Sequence, residues 1–309
     1  MAVSNANKIA LIGDIETTYG SGGVVPAFSN PDDAILLYTN KNPYSVEFEE
    51  LVINAISGSI APGKSAIGRG LTRLSATTML QRAEDFAGTP KLPLRNTRMM
   101  RACAVNENIT ATNIIYRPTS GGTGFEFESF AASVYPDGWK FGMLGAYGTF
   151  TLSATAGREQ QIVYEMQGVM PTDFNTSNTP IPNDTAYETE FPVGWKSAEV
   201  VITKGGTVTD TAGLLAVTGG TVMAPALCVK SFSFTAGVTI GERRCANAAQ
   251  AIDGLVISEI RNPRLELVAE LDQNPNINIF DDWAAGDVHS VAFHLDDDRW
   301  AFLAPYAQV

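Results

Sequence analysis

Histidine is almost missing from this chain: His289 and His294 are the only two in 309 residues. Five positions apart on a strand, they leave opposite faces and form neither a shared metal site nor a catalytic pair. Cysteine is scarce as well. Cys103, Cys228 and Cys245 are odd in number and no Cys-x-x-Cys occurs, which predicts buried free thiols from a reducing cytoplasm. Positive charge is short: 21 Lys and Arg face 33 Asp and Glu, a net charge of −12. Gripping nucleic acid needs Lys and Arg to replace counterions around phosphates, so that class of function is disfavoured. A surface past which nucleic acid slides without sticking is not. No apolar run approaches the ~18–20 residues of a membrane helix, and MAVSNANKIALIGDIETTYG has no basic-then-apolar leader pattern. No Gly-x-Ser-x-Gly elbow occurs. The expectation is a non-enzyme with no catalytic residue, cofactor, metal or membrane insertion.

What the chain does have is strand pattern. Residues 44–80 contain two alternating runs around a loop rich in Gly, Ser and Pro. In the first, Val46, Phe48 and Glu50 point one way and Glu47, Glu49 and Leu51 the other. In the second, Leu71, Arg73, Ser75 and Thr77 alternate with Thr72, Leu74, Ala76 and Thr78. Period two means strand. The connection is too long for a two-residue turn, so a long arm hairpin is predicted, with Val46 and Phe48 toward a core.

A helix is predicted over 94–105, LRNTRMMRACAV. Pro93 stands just before it, where its missing N–H costs nothing. Arg95, Arg98 and Arg101 make one basic stripe, and Leu94, Met99, Met100, Cys103 and Ala104 the apolar side. From 113 onward short strand-like runs return, with Pro136-Asp137-Gly138 as a hairpin turn. Residues 171–194, rich in Pro, Asn and Thr, read as a linker. It separates a β domain at 1–170 from a second at 195–309. In the second, 205–222 reads as a loop or edge hairpin and 280–285 as a short helix. A hairpin turning at Asp296 to Asp298 ends it.

The halves echo each other. DGWKFGMLGAYGTF from Asp137 lines up with DRWAFLAPYAQV from Asp298. VEFEELVINAISGS resembles VTIGERRCANAAQAIDG, and LTRLSATTML resembles PRLELVAELD as the returning strand. A duplicated β domain accounts for this order; two unrelated β domains are the alternative. Charge differs between the halves. Residues 1–170 carry 13 basic and 15 acidic residues, and 171–309 carry 8 and 18.

One motif matches a known chemistry. Gly58 to Ser65, GSIAPGKS, fits the phosphate-loop pattern. That mechanism needs a helix continuing from the loop, whereas Gly68, Gly70 and an alternating run follow. The segment therefore reads as an arm tip with a positive end, and a phosphate-loop nucleotide-binding protein is a remote alternative. Glu47, Glu49, Glu266 and Glu270 place carboxylates on the exposed faces of corresponding hairpins. If those hairpins joined into a barrel, their face would be an acidic wall that lets a duplex pass.

The order of ETTYG at 16–20, Pro26, DAILL at 33–37, the arm at 44–80, MMRACAV, YRP at 116–118, DGWKFGMLGAYGTFTL at 137–152 and YEMQG at 164–168 resembles the major tail tube proteins of long-tailed, siphovirus-type bacteriophages. The resemblance covers most of 10–170, and 195–309 more loosely. It implies a mainly β fold: two tandem tail-tube-like β-sandwich or barrel domains with a short flanking helix. Hairpins of neighbouring copies would join into a closed β-barrel ring. It implies rings stacked through the arm, with Gly58, Pro62, Lys64 and Arg69 at that contact, and Glu47, Glu49, Glu266 and Glu270 facing the lumen. The ring would be a pseudo-six-fold trimer, or alternatively a hexamer. The partners implied are further copies of the chain, a tape-measure protein, tail terminator and distal tail or baseplate proteins, and double-stranded DNA in transit. The place implied is a virion tail made in a bacterial host cytoplasm. Some relatives of this kind carry an unrelated decoration domain, which leaves the nature of 195–309 open. The competing reading is a phage decoration or adhesin β-sandwich.

Overall fold

The computed structural model describes residues 9–20, 25, 34–38, 42–52, 65–81, 95–110, 113–119, 127–136, 139–173, 175–177, 199–211, 214–222, 228–244, 252–259, 262–270, 279–295 and 300–308. The chain is mainly β, built from antiparallel sheets. The first part supplies β1 (Ile9–Ile15), β2 (Ala34–Ile35), β3 (Tyr44–Val52), β4 (Ser65–Met79), β5 (Val105–Ile109), β6 (Ile114–Pro118), β7 (Phe130–Pro136), β8 (Trp139–Thr155), β9 (Gln161–Val169) and β10 (Asn175–Ser177). The second supplies β11 (Glu199–Lys204), β12 (Thr207–Thr211), β13 (Leu214–Thr218), β14 (Thr221–Val222), β15 (Cys228–Thr235), β16 (Thr239–Arg244), β17 (Ile252–Glu259), β18 (Arg264–Glu270), β19 (Val288–Leu295) and β20 (Trp300–Gln308). The helices are α1 (Arg98–Arg101), preceded by a 3₁₀ turn at Arg95–Thr97, and α2 (Ile279–Ala285).

β8 organises the molecule. Along its first half it pairs with β7 and β10, and along its second with β15; β9 runs beside it from Leu144 to Ser153. The change of neighbours follows a bulge between Leu144 and Tyr147. Gly145 sits there with φ 54°, and a Cβ on it would lie 2.8 Å from the Tyr19 ring. Only glycine takes that backbone without strain, and bulges are how a strand bends to serve two sheets. One sheet runs β2-β1-β7-β8 with β10; the other runs β3-β4-β9-β8-β15-β18. Among the described residues no sheet closes on itself into a barrel.

The core fills the space between these sheets. Leu11, Leu74, Phe130, Phe150, Tyr164 and Met166 are buried in it. A separate sheet, β14-β11-β19-β20, packs on the same core through Phe293, whose ring stacks on Phe232 of β15 at 4.3 Å. Residues from both sides of the expected 171–194 linker thus share one core and one sheet. Of that linker, 175–177 form β10 and 178–194 lie outside the described residues.

The arm hairpin is present as β3 paired with β4, from Tyr44↔Leu74 to Val52↔Ser65. Its tip, 53–64, lies outside the described residues. Three details differ from expectation. Phe48 is 52% exposed instead of facing the core, because β3 is an edge strand with a bulge between Phe48 and Glu50. The helix predicted over 94–105 ends at Arg101. Ala104 adopts a left-handed φ of 59°, and β-branched Val105 opens the β5–β6 ladder. Of its expected apolar side, Met99, Met100, Cys103 and Ala104 are buried, and Leu94 lies outside the described residues. Finally, the strand returning from β16 is β17; β18, expected in that role, pairs with β15. The 205–222 stretch does form a hairpin, β12 with β13.

Candidate functional site

The candidate surface is the open face of the six-stranded sheet. Alternation decides which side chains reach it. On β4, Thr72, Leu74, Ala76 and Thr78 are buried while Arg73 and Ser75 are exposed. On β9, Tyr164 and Met166 are buried while Glu165 is exposed. On β18 every second residue, from Arg264 to Glu270, is exposed. The register carries this parity across the sheet: Ser75↔Glu165↔Thr149, then Thr151↔Thr235↔Arg264, then Ser153↔Ser233↔Glu266. The open face is therefore a band of Ser and Thr flanked by charges. At one end the β16–β17 hairpin covers it, where Leu255 packs on Leu71 and Tyr147.

Of the predicted wall carboxylates, Glu47, Glu266 and Glu270 are exposed and Glu49 is half-buried beside the β3 bulge. They do not form a bare acidic wall. Arg73 donates to Glu47 at 2.7 Å, Arg264 to Glu266 at 2.8 Å and Lys230 to Glu270 at 2.6 Å. The Lys230 hydrogen bond holds the Glu270 carboxyl below its usual range. Arg264 and Glu266 stand two apart on one strand, so period two alone could have paired them; the Lys230–Glu270 contact spans two strands.

The predicted arm contact falls largely outside view. Gly58, Pro62 and Lys64 lie outside the described residues; Arg69 belongs to β4 by its backbone, and its side chain is outside them. From Ser65, the last residue of the phosphate-loop match, the chain runs on as a 15-residue strand, β4, and not as the helix such a site requires. The basic stripe is largely consumed within the chain. Arg98 reaches Asp14 at 3.5 Å, and Arg101 grips Glu128 through two hydrogen bonds with Glu107 at 3.7 Å. Arg95 has an interaction of its own. The pairing with Glu128 raises Arg101 above its ordinary value.

His289 and His294 do not meet at a common site. His289 is buried with Nε2 3.2 Å from Asp282, which also accepts from Lys204 at 2.6 Å. Asp287 takes a second contact from Lys204 at 2.5 Å. Among the described residues no three His, Cys, Asp or Glu gather as metal ligands. This cluster ties α2 to β11 and β19, and its charge states set a pH window. The Lys204 hydrogen bond, then His289, holds Asp282 below the usual carboxylate range. Its contribution is present above that range and fades as pH falls through the lowered value. Hydrogen bonds from Asp282 and Asp287 push Lys204 from 10.5 up to about 12; its contribution is full below 10.5 and is lost as pH rises through about 12. Trp283 fluorescence should change as pH passes each of these limits.

Other exposed features are aromatic: Phe280 at 83%, Trp283 at 66% and Tyr306 at 84%. Both outer strands of the six-stranded sheet, β3 and β18, have an unpaired edge among the described residues. No helix among the described residues is long and apolar enough to cross a membrane. Compared with known proteins, the chain matches no protein-family model and no curated protein.

Proposed function

We propose that this chain is a structural, non-enzymatic subunit of a viral tail tube. Its copies join into rings that stack as a conduit for double-stranded DNA and a tape-measure protein, in a virion tail built in a bacterial cytoplasm. Tail terminator and distal tail or baseplate proteins would meet the ends of the stack. The observation that carries this reading is the six-stranded sheet: one face buried, one face mostly polar, and two edges unpaired among the described residues. Open edges are liabilities unless another strand covers them. The six strands alternate in direction, so β18 runs antiparallel to β3. Placing β18 of one copy beside β3 of the next continues the antiparallel order without a break. A head-to-tail contact of this kind closes into a ring when the rotation permits.

The strand count favours three copies over six. Strands ~4.8 Å apart and tilted about 40° each occupy ~6 Å of circumference. Three copies would supply about eighteen strands and, inside the side chains, a bore of ~25 Å. That is a close fit for one duplex. Six copies would give a bore of ~60 Å, several duplexes wide.

Electron microscopy of the purified protein is expected to show stacked rings. Single prolines along β18 sharpen the test. Where the replaced N–H points away from β15, proline should leave the subunit folded and stop ring formation, since it removes only the edge donor. Rings that survive at such positions, with the melting temperature unchanged, would sink edge-to-edge assembly. A decoration or adhesin module would instead stay dispersed with both edges free.

A further inference from the structure

We infer that the inner wall of this tube is the hydroxyl-bearing face of the six-stranded sheet, and that its ion pairs keep the wall's cations from the phosphates of a passing duplex. The inference rests on the tube reading above. The sheet has only one face to offer: Leu74, Ala76, Phe150, Tyr164 and Phe232 of its other face lie in the core. A ring joined through β3 and β18 must then keep its subunit bodies outside, because bodies inside would fill the bore.

Much of the open face is built of groups that bind water without fixed charge, with Val268 exposed and Val163 half-buried among them. Thr151 opposes Thr235 and Ser153 opposes Ser233, and the Thr151 and Thr235 hydroxyls are 3.1 Å apart. Charge on the face is compensated. Arg73, Arg264 and Lys230 each hold a carboxylate, at 2.7, 2.8 and 2.6 Å. Glu165 is exposed as a fourth carboxylate. These seven groups sum to −1, in a chain whose net charge is −12. A free guanidinium or ammonium is a strong phosphate ligand; one beside a carboxylate has its charge offset and part of its donor set engaged, so its pull on a phosphate is weaker. The face thus suits a polyanion that must keep moving. Arg158, exposed in the turn between β8 and β9 beside Ser153 and Thr155, stands at one rim of the face next to Glu159; elsewhere on it Arg73, Lys230 and Arg264 are the paired cations, and no dense field of acid turns the duplex away.

Native Cys228 reports on this without mutation. It is exposed and stands opposite Glu270, while Cys103 is buried. Assembled tubes and dissociated subunits are treated with a small maleimide or with one carrying a large polyethylene glycol, and the modified cysteine is mapped by peptide mass spectrometry. Thr151→Cys gives a second position, at the centre of the band. Both thiols should react with both reagents in subunits. In tubes they should react with the small reagent and lose reaction with the large one. Tubes in which the large reagent still reaches Cys228 and Thr151→Cys overturn this inference and leave the tube reading standing. Absence of tubes overturns the tube reading, and the inference with it.

Discussion

Replacing Phe232 by alanine is expected to lower the unfolding free energy by about 3–5 kcal/mol, the usual cost of deleting a buried Phe ring. Phe232 is 2% exposed, stacks on Phe293 at 4.3 Å and lies 6.0 Å from Phe302. Its strand, β15, pairs with β8 on one side and β18 on the other. The ring therefore does two things: it fills the core, and it pins the β11–β19–β20 sheet under the six-stranded one. Against a typical total of about 5–15 kcal/mol, the loss is large enough to unfold a sizeable fraction of molecules. The control is Tyr306→Ala. That ring is 84% exposed, and its removal should stay within about 0.5 kcal/mol. Urea unfolding of the two variants makes the comparison. A loss below about 1 kcal/mol for Phe232→Ala would mean that the two sheets do not depend on this contact.

Much of the sheet could be read from alternation. The arm strands, the exposed Arg73 and Glu266 and the buried Leu74 and Ala76 all follow from period two, since a half-buried strand must sort its side chains by face. The Trp139 and Trp300 hairpins were visible for the same reason, aided by turn residues. Three things were not legible. β8 pairs with β15 across some eighty positions, as in Thr151↔Thr235, and nothing local in either strand names the other. The apolar stripe of Met99, Met100, Cys103 and Ala104 overstates the helix; the left-handed turn at Ala104 is a tertiary demand that propensity does not record. Counting acids along one strand makes Glu47 and Glu270 a bare acidic wall, because it ignores the cations that register brings beside them from the next strand; Arg264, two residues from Glu266 on its own strand, was legible.

In the proposed tube, converting Glu47, Glu266 and Glu270 together to glutamine is expected to turn a wall that lets DNA pass into one that holds it. Each exposed pair is worth only about 0.2–1 kcal/mol, so folding and assembly should survive the change. The electrostatic consequence is larger. Arg73, Lys230 and Arg264 lose their carboxylates, Glu165 remains, and the described face moves from −1 to +2 per chain. A ring of three copies would then present about nine freed cations to the phosphates. Contacts in that number make binding fall by roughly 10³–10⁵ between 50 and 200 mM salt. Assembled tubes of the variant should therefore retain duplex DNA at low ionic strength and release it steeply as salt rises. Tubes of the original sequence should retain little at either. Converting Arg73, Lys230 and Arg264 to glutamine instead removes the same three pairs, costs similar stability, and should leave DNA unretained. If the two triple variants behave alike toward DNA while both assemble, the six-stranded face does not line the bore.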